Sequence, residues 1–148
     1  MEKDDIMNIL ITIPGEPKGK GRPRFKRAGR FVSTYTPEET ASYENFVKVC
    51  FLSEHPQGNG PLLEGELEAE IKAYFSPPKS TSKKKLQLML DGDINPTKKP
   101  DTDNIAKIIL DSLNGIAFHD DSQIVRLVVE KRYSNNPRVE LKLISYEV

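Results

Sequence analysis

The chain has 148 residues, enough for one domain with a sizeable hydrophobic core, and its 22 basic and 22 acidic side chains cancel. That balance excludes a uniformly cationic DNA coat. A single cysteine, Cys50, excludes an intrachain disulfide or a thiolate zinc cluster, and no apolar run approaches a membrane span.

The opening MEKDD is unlike the cationic start of a signal peptide. The expectation is a single cytoplasmic domain over residues 1–148 with no membrane association. Residues from about Met7 to Ile13 form an apolar run suited to a buried strand that Pro14 ends. The next stretch, PGEPKGKGRPRF, is too rich in Pro and Gly for regular structure and reads as an arm leading into a hairpin turning at Ala28-Gly29. Between Pro17 and Pro37 there is no acid, while Lys18, Lys20, Arg22, Arg24, Lys26, Arg27 and Arg30 all fall there. Cations so grouped release counterions from phosphates and bind DNA without reading sequence. The three lysines Lys83, Lys84 and Lys85 form a weaker second patch.

A helix start follows at Thr36-Pro37-Glu38-Glu39, with Thr36 as cap and Pro37 at the first helical position. Tyr43, Phe46, Val47, Cys50 and Phe51 give its apolar stripe, so Cys50 reads as a buried, inert thiol. Leu67, Ala69, Ile71, Ala73 and Phe75 then alternate with Glu66, Glu68, Glu70, Lys72 and Tyr74, a strand with one buried face and a solvated acidic one. A short cationic helix and a loop lead to a second main helix, from about Thr102 to Asn114, with Ile105, Ile108, Ile109, Ser112 and Leu113 inward and Gly115 ending it. Two alternating stretches, Ile124–Tyr133 and Arg138–Tyr146, read as an antiparallel hairpin. The order predicts an α+β domain: a mixed β-sheet, two main helices on one side, and a basic N-terminal arm.

The chemistry is concentrated in KPDTDNIAKIILDSLNGIAFHDDSQI, which holds Asp101, Asp103, Asp111, Asp120 and Asp121. Asp101 and Asp103 project to one side just before a helix, and Lys107 lies one turn beyond Asp103. If the chain returns past that helix N-terminus, four carboxylates converge. Two carboxylates about 4 Å apart repel by roughly 4 kcal/mol at an effective dielectric near 20, which a divalent magnesium or manganese ion would relieve. Such a site suits phosphodiester hydrolysis, with Lys107 opposing charge on the phosphate oxygens. Each residue also has an ordinary reading: Asp103 as a helix cap, Asp103 with Lys107 as a surface ion pair, Asp120-Asp121 as a turn, and His119 as a plain loop histidine. An EF-hand starting at Asp101 fails, because Ile105 and Ala106 stand where an oxygen ligand and glycine are needed.

This segment resembles the signature of the RusA family of Holliday junction resolvases: K-P-D-x-D-N-hydrophobic-x-K, then D-[AS]-L-N-G, then D-D-x-Q-[IV]. The chain matches at Lys99, Pro100, Asp101, Asp103, Asn104, Lys107, Asp111, Leu113, Asn114, Gly115, Asp120, Asp121 and Gln123. GRPRF and YTPEETASYE resemble the form found in Gram-positive bacteria and their prophages. The resemblance implies a homodimer that binds four-way junctions by shape and makes paired magnesium-dependent nicks, manganese substituting, with no small-molecule cofactor. It implies Asp101, Asp103 and Asp121 as metal-binding catalytic carboxylates, Asp120 as a further metal helper, Lys107 as a catalytic lysine, and Asp111 and Asn104 as auxiliary. A less selective flap or fork nuclease, and a catalytically silent junction-binding protein, are the alternatives. Four acids crowded beside phosphates argue against the silent one.

Overall fold

The computed structural model describes residues 5–35, 37–56, 60 and 62–147. The chain runs β1 (Asp5–Pro14), β2 (Arg24–Ala28), β3 (Phe31–Tyr35), α1 (Glu38–Glu54), β4 (Leu67–Phe75), α2 (Lys83–Leu90), α3 (Thr102–Leu113), β5 (Ile124–Tyr133) and β6 (Arg138–Glu147). Four strands make a mixed sheet in the order β1-β6-β4-β5, and β2-β3 stand apart as a two-stranded sheet.

The sheet is built around β4, whose alternating pattern buries Leu67, Ala69, Ile71, Ala73 and Phe75. Those side chains join Ile9, Ile11 and Ile13 of β1 and Leu141 and Leu143 of β6 in one core with Val47 and Phe51 of α1. Helix α3 adds Ile105, Ile108, Ile109 and Leu113, the expected inner face, all fully buried. Each such side chain withdrawn from water contributes roughly 1.5–3 kcal/mol. Ser112, also on that face, satisfies its hydroxyl by donating to the Ile108 carbonyl. The predicted α+β class, with α1 and α3 in contact over one core, describes the molecule.

The last two strands are not a hairpin. β4 lies between them, pairing antiparallel with β6 and parallel with β5. Four residues, 134–137, can span the roughly 9.6 Å of two strand spacings, and Ser134 donates its N–H to the Phe75 carbonyl at 2.9 Å as the chain crosses the end of β4. The reason for the insertion is burial: β4 carries the most completely apolar inward row and takes a neighbour on each side. β5 is left as a sheet edge.

Helix α1 starts one residue later than expected, with Pro37 itself at the cap and no side-chain cap bond; the expected cap, Thr36, lies outside the described residues. Phe46 of the expected stripe is exposed. Cys50 is half-buried rather than buried, and desolvation, aided by Glu54, pushes its thiol pKa up, which keeps it protonated and unreactive.

Candidate active site

Three elements meet at the N-terminus of α3. Asp101 is the helix cap, its side chain accepting from the Asn104 N–H at 3.3 Å, so the capping role falls to Asp101 and leaves Asp103 exposed in the first turn. Against this turn lies Gly19-Lys20-Gly21. The Lys20 N–H donates to the Asn104 carbonyl at 3.0 Å, and the Gly21 N–H donates to the hydroxyl of buried Thr40 on α1 at 3.1 Å. An open cleft results, lined by Gly19, Lys20, Arg22, Lys99, Asp101 and Asn104.

Of the seven cations expected to face DNA, Lys20 is the exception. Its ammonium lies 3.1 Å from Glu44 on α1 and 3.5 Å from Asp111 on α3, and the side chain is only 20% exposed. Asp111 also holds Lys107, 3.5 Å away and itself 60% exposed, so Lys107 pairs forward along α3 and keeps an open approach. Asp111 and Glu44 therefore fasten the arm to both helices. The flanking glycines were the legible sign of this seat, since glycine permits close backbone approach. A Cβ on Gly19 would stand 2.7 Å from the Pro100 Cβ and 3.3 Å from the Asn104 Cβ. Gly19→Ala is expected to lower stability by about 1–3 kcal/mol through overpacking; a urea midpoint equal to wild type would mean the arm is not seated there.

Beyond Lys20, the basic arm faces outward. Lys18 and Arg22 are exposed, Arg24, Lys26 and Arg27 stand on the fully exposed β2, and Arg30 occupies the hairpin turn beside Gly29, whose φ of 61° suits a tight turn.

Asp120 and Asp121 are placed differently from the expected convergence. The segment before α3 is tied to the far end of the parallel pair: Lys131 of β5 donates to the Lys98 carbonyl, and both lysines lie over the ring of Phe75, the last residue of β4. After α3 the chain turns at Gly115, and Phe118 bridges Asn114 and Leu63. Gln123 then holds the 119–123 segment beside the start of β4, donating to the Gly65 carbonyl at 2.9 Å and accepting from His119 and Asp120 N–H groups at 2.7 and 3.1 Å. Asp101 thus caps the N-terminal end of α3, while Asp121 lies in the segment beyond its C-terminal end; the 12-residue helix between them is about 18 Å long. Among the described residues, no group of three or more His, Cys, Asp and Glu side chains could hold a metal ion. Asp101 and Asp103 share the first turn of α3, but Asp103 is helical rather than extended, so the two do not project to one side as expected, and Lys107 pairs with Asp111 further along the helix; Asp120 and Asp121 lie in the segment after α3.

The second acidic position is nonetheless built. Asp120 caps the short 3-10 turn at Asp121–Gln123 and forms a capping box with Gln123. Hydrogen bonds from the Ser122 side chain and backbone N–H hold the Asp120 carboxyl below its usual range. His119 pairs with Glu64 at 2.8 Å. Gln123 was missed as a positioning residue, although the D-x-x-Q spacing of a capping box was present in the sequence.

Comparison with known proteins places the chain in one family. The family model described as Endodeoxyribonuclease RusA matches residues 14–144. The chain is also 36% identical, over 91% of its own length and 94% of the relative's, to a Bacillus subtilis (strain 168) protein described as "Uncharacterized protein YqaN". No helix among the described residues is long and apolar enough to cross a membrane.

Proposed function

The chain belongs to the RusA endodeoxyribonuclease family, and from that premise we propose that it is a cytoplasmic, magnesium-dependent resolvase that nicks four-way DNA junctions as a homodimer in recombination and repair. The observation that carries this reading is an open cleft at the N-terminus of α3 in which Asp101, beside the exposed Asp103, stands among Arg22 of the cationic arm and Lys99. Cations anchor the phosphates, and the acids stand where a hard cation would meet them.

Because one protomer separates Asp101 and Asp103 from Asp121, the metal site requires a second chain. Two features support an antiparallel twofold pairing along the β5 side. β5 is an unpaired sheet edge, and Val125 and Leu127 on it are 64% and 45% exposed. A twofold axis beside α3 reverses one copy, so Asp121 of each protomer approaches Asp101 and Asp103 of the other. Asp120, held by the Ser122 N–H, adds charge to the same half-site. Asp101 and Asp103 of one copy with Asp121 of the other would hold magnesium, or manganese in its place, and that ion would supply Lewis-acid assistance to phosphodiester hydrolysis. Lys107, exposed and oriented by Asp111, offsets charge developing on the non-bridging phosphate oxygens.

The test is incubation of the protein with a labelled synthetic four-way junction and magnesium, mapping every strand. Symmetrical nicks in two opposing strands are expected. Equal cutting of forks or flaps would favour the broader nuclease, and junction binding without nicks would favour a silent binding protein.

A further inference from the structure

The β2–β3 hairpin exposes apolar side chains where a solvated loop would carry polar ones. Phe25 and Phe31 are 74% and 79% exposed, and Val32 and Tyr35 are also exposed. Every residue of both strands is exposed. The pairing Arg24↔Tyr35, Lys26↔Ser33 and Ala28↔Phe31 puts Phe31 and Tyr35 on one face with Arg24 and Lys26. Phe25↔Thr34 and Arg27↔Val32 put Phe25 on the other face with Arg27. An aromatic and at least one cation therefore appear on both faces of the same thin ribbon.

A protein-docking hairpin needs one apolar face and leaves the other polar. Two faces that each combine a ring with positive charge suit a ligand that surrounds the ribbon and offers flat apolar rings next to phosphates. Unpaired nucleotides have this composition, and aromatic rings bind them by stacking without reading sequence. No acidic side chain occurs between Pro17 and Pro37 to oppose such a ligand. The base of the hairpin is fixed against α1 and α3 through Gly19, Lys20 and Gly21, and Arg22, two residues before β2, lines the cleft in which Asp101 stands.

We propose that the β2–β3 hairpin enters the branch point of the DNA, where Phe25 and Phe31 stack on bases unpaired on its two sides while Arg24, Lys26 and Arg27 hold the flanking phosphates. This rests on the branched-DNA reading above and adds a role that phosphate contact alone does not require: the hairpin opens base pairs.

The test uses a four-way junction with 2-aminopurine at the branch point, a second junction with the probe in the middle of one arm, and no added metal, so that no strand is cut. Saturating wild-type protein is expected to raise fluorescence at the branch point and leave the arm probe unchanged. Phe25→Ala with Phe31→Ala is expected to lose that rise at saturation and to weaken binding by roughly 5-fold or more per ring. Tyrosine at both positions is expected to restore it, whereas leucine, apolar but unable to stack, is not. Binding by wild type with no fluorescence rise overturns this proposal alone, whereas no binding to the junction removes the parent reading and this one together. Leucine variants equal to wild type, or alanine variants that convert a dimer to monomers, overturn it as well, the latter by assigning the rings to a protein interface.

Discussion

Mixing Asp101→Asn protein with Asp121→Asn protein should restore junction nicking that neither variant shows alone. Each substitution removes a ligand charge and is expected to lower cleavage at least about a hundredfold while leaving junction binding intact. When Asp101 of one protomer works with Asp121 of the other, a mixed dimer gathers both lesions in one site and leaves its second site whole. Random re-association makes half the dimers mixed, with one sound site in two, so about a quarter of wild-type nicking returns. The recovered cuts fall on one strand at a time, because a mixed dimer cannot make the matching nick. Were each protomer to hold its own complete site, both sites of every mixed dimer would be dead. Mixed samples as inactive as the separate variants would therefore exclude the shared site, and cleavage by Asp101→Asn alone would show the carboxylate is not essential.

The second large effect concerns the arm. Replacing Arg22, Arg24, Lys26 and Arg27 together with alanine should reduce the slope of log affinity against log salt by about 3.6, at 0.9 per lost phosphate contact. Between 50 and 200 mM salt the wild-type protein would then lose roughly a hundredfold more affinity than the variant. Folding should be unaffected, since these four side chains are exposed. Lys20 is predicted to behave in the opposite way, because it is committed to Glu44 and Asp111. Lys20→Met should lower the urea midpoint and leave the salt slope nearly unchanged. A salt slope unchanged in the four-residue variant would exclude the arm from DNA contact.

Local pattern in the sequence carried most of the fold. The strict alternation from Leu67 to Phe75 and the three-and-four spacing of Ile105, Ile108, Ile109 and Leu113 each have one physical solution, and the molecule adopts it. What local pattern could not carry was which strands pair. Ile124–Tyr133 and Arg138–Tyr146 have the alternation and short connection of a hairpin, and only competition for the most apolar partner puts β4 between them. The same error hid the site geometry. Once β4 and β5 are parallel, the chain between them must run back along the sheet, so α3 carries Asp101 away from Asp121. Lys20 illustrates a different limit: its charge is visible in the sequence, but the carboxylates that claim it come from Glu44 and Asp111, distant in the chain.

In the proposed twofold pair, helix α3 would act as a caliper. The two cutting centres would lie near its opposite ends, so their separation would follow the length of its 12 residues, about 18 Å. A helix packed on the core does not stretch, and the gap between the two severed phosphates would be set by residue count, independently of how the DNA arms bend. Inserting one further turn would move the incisions apart by about 5.4 Å.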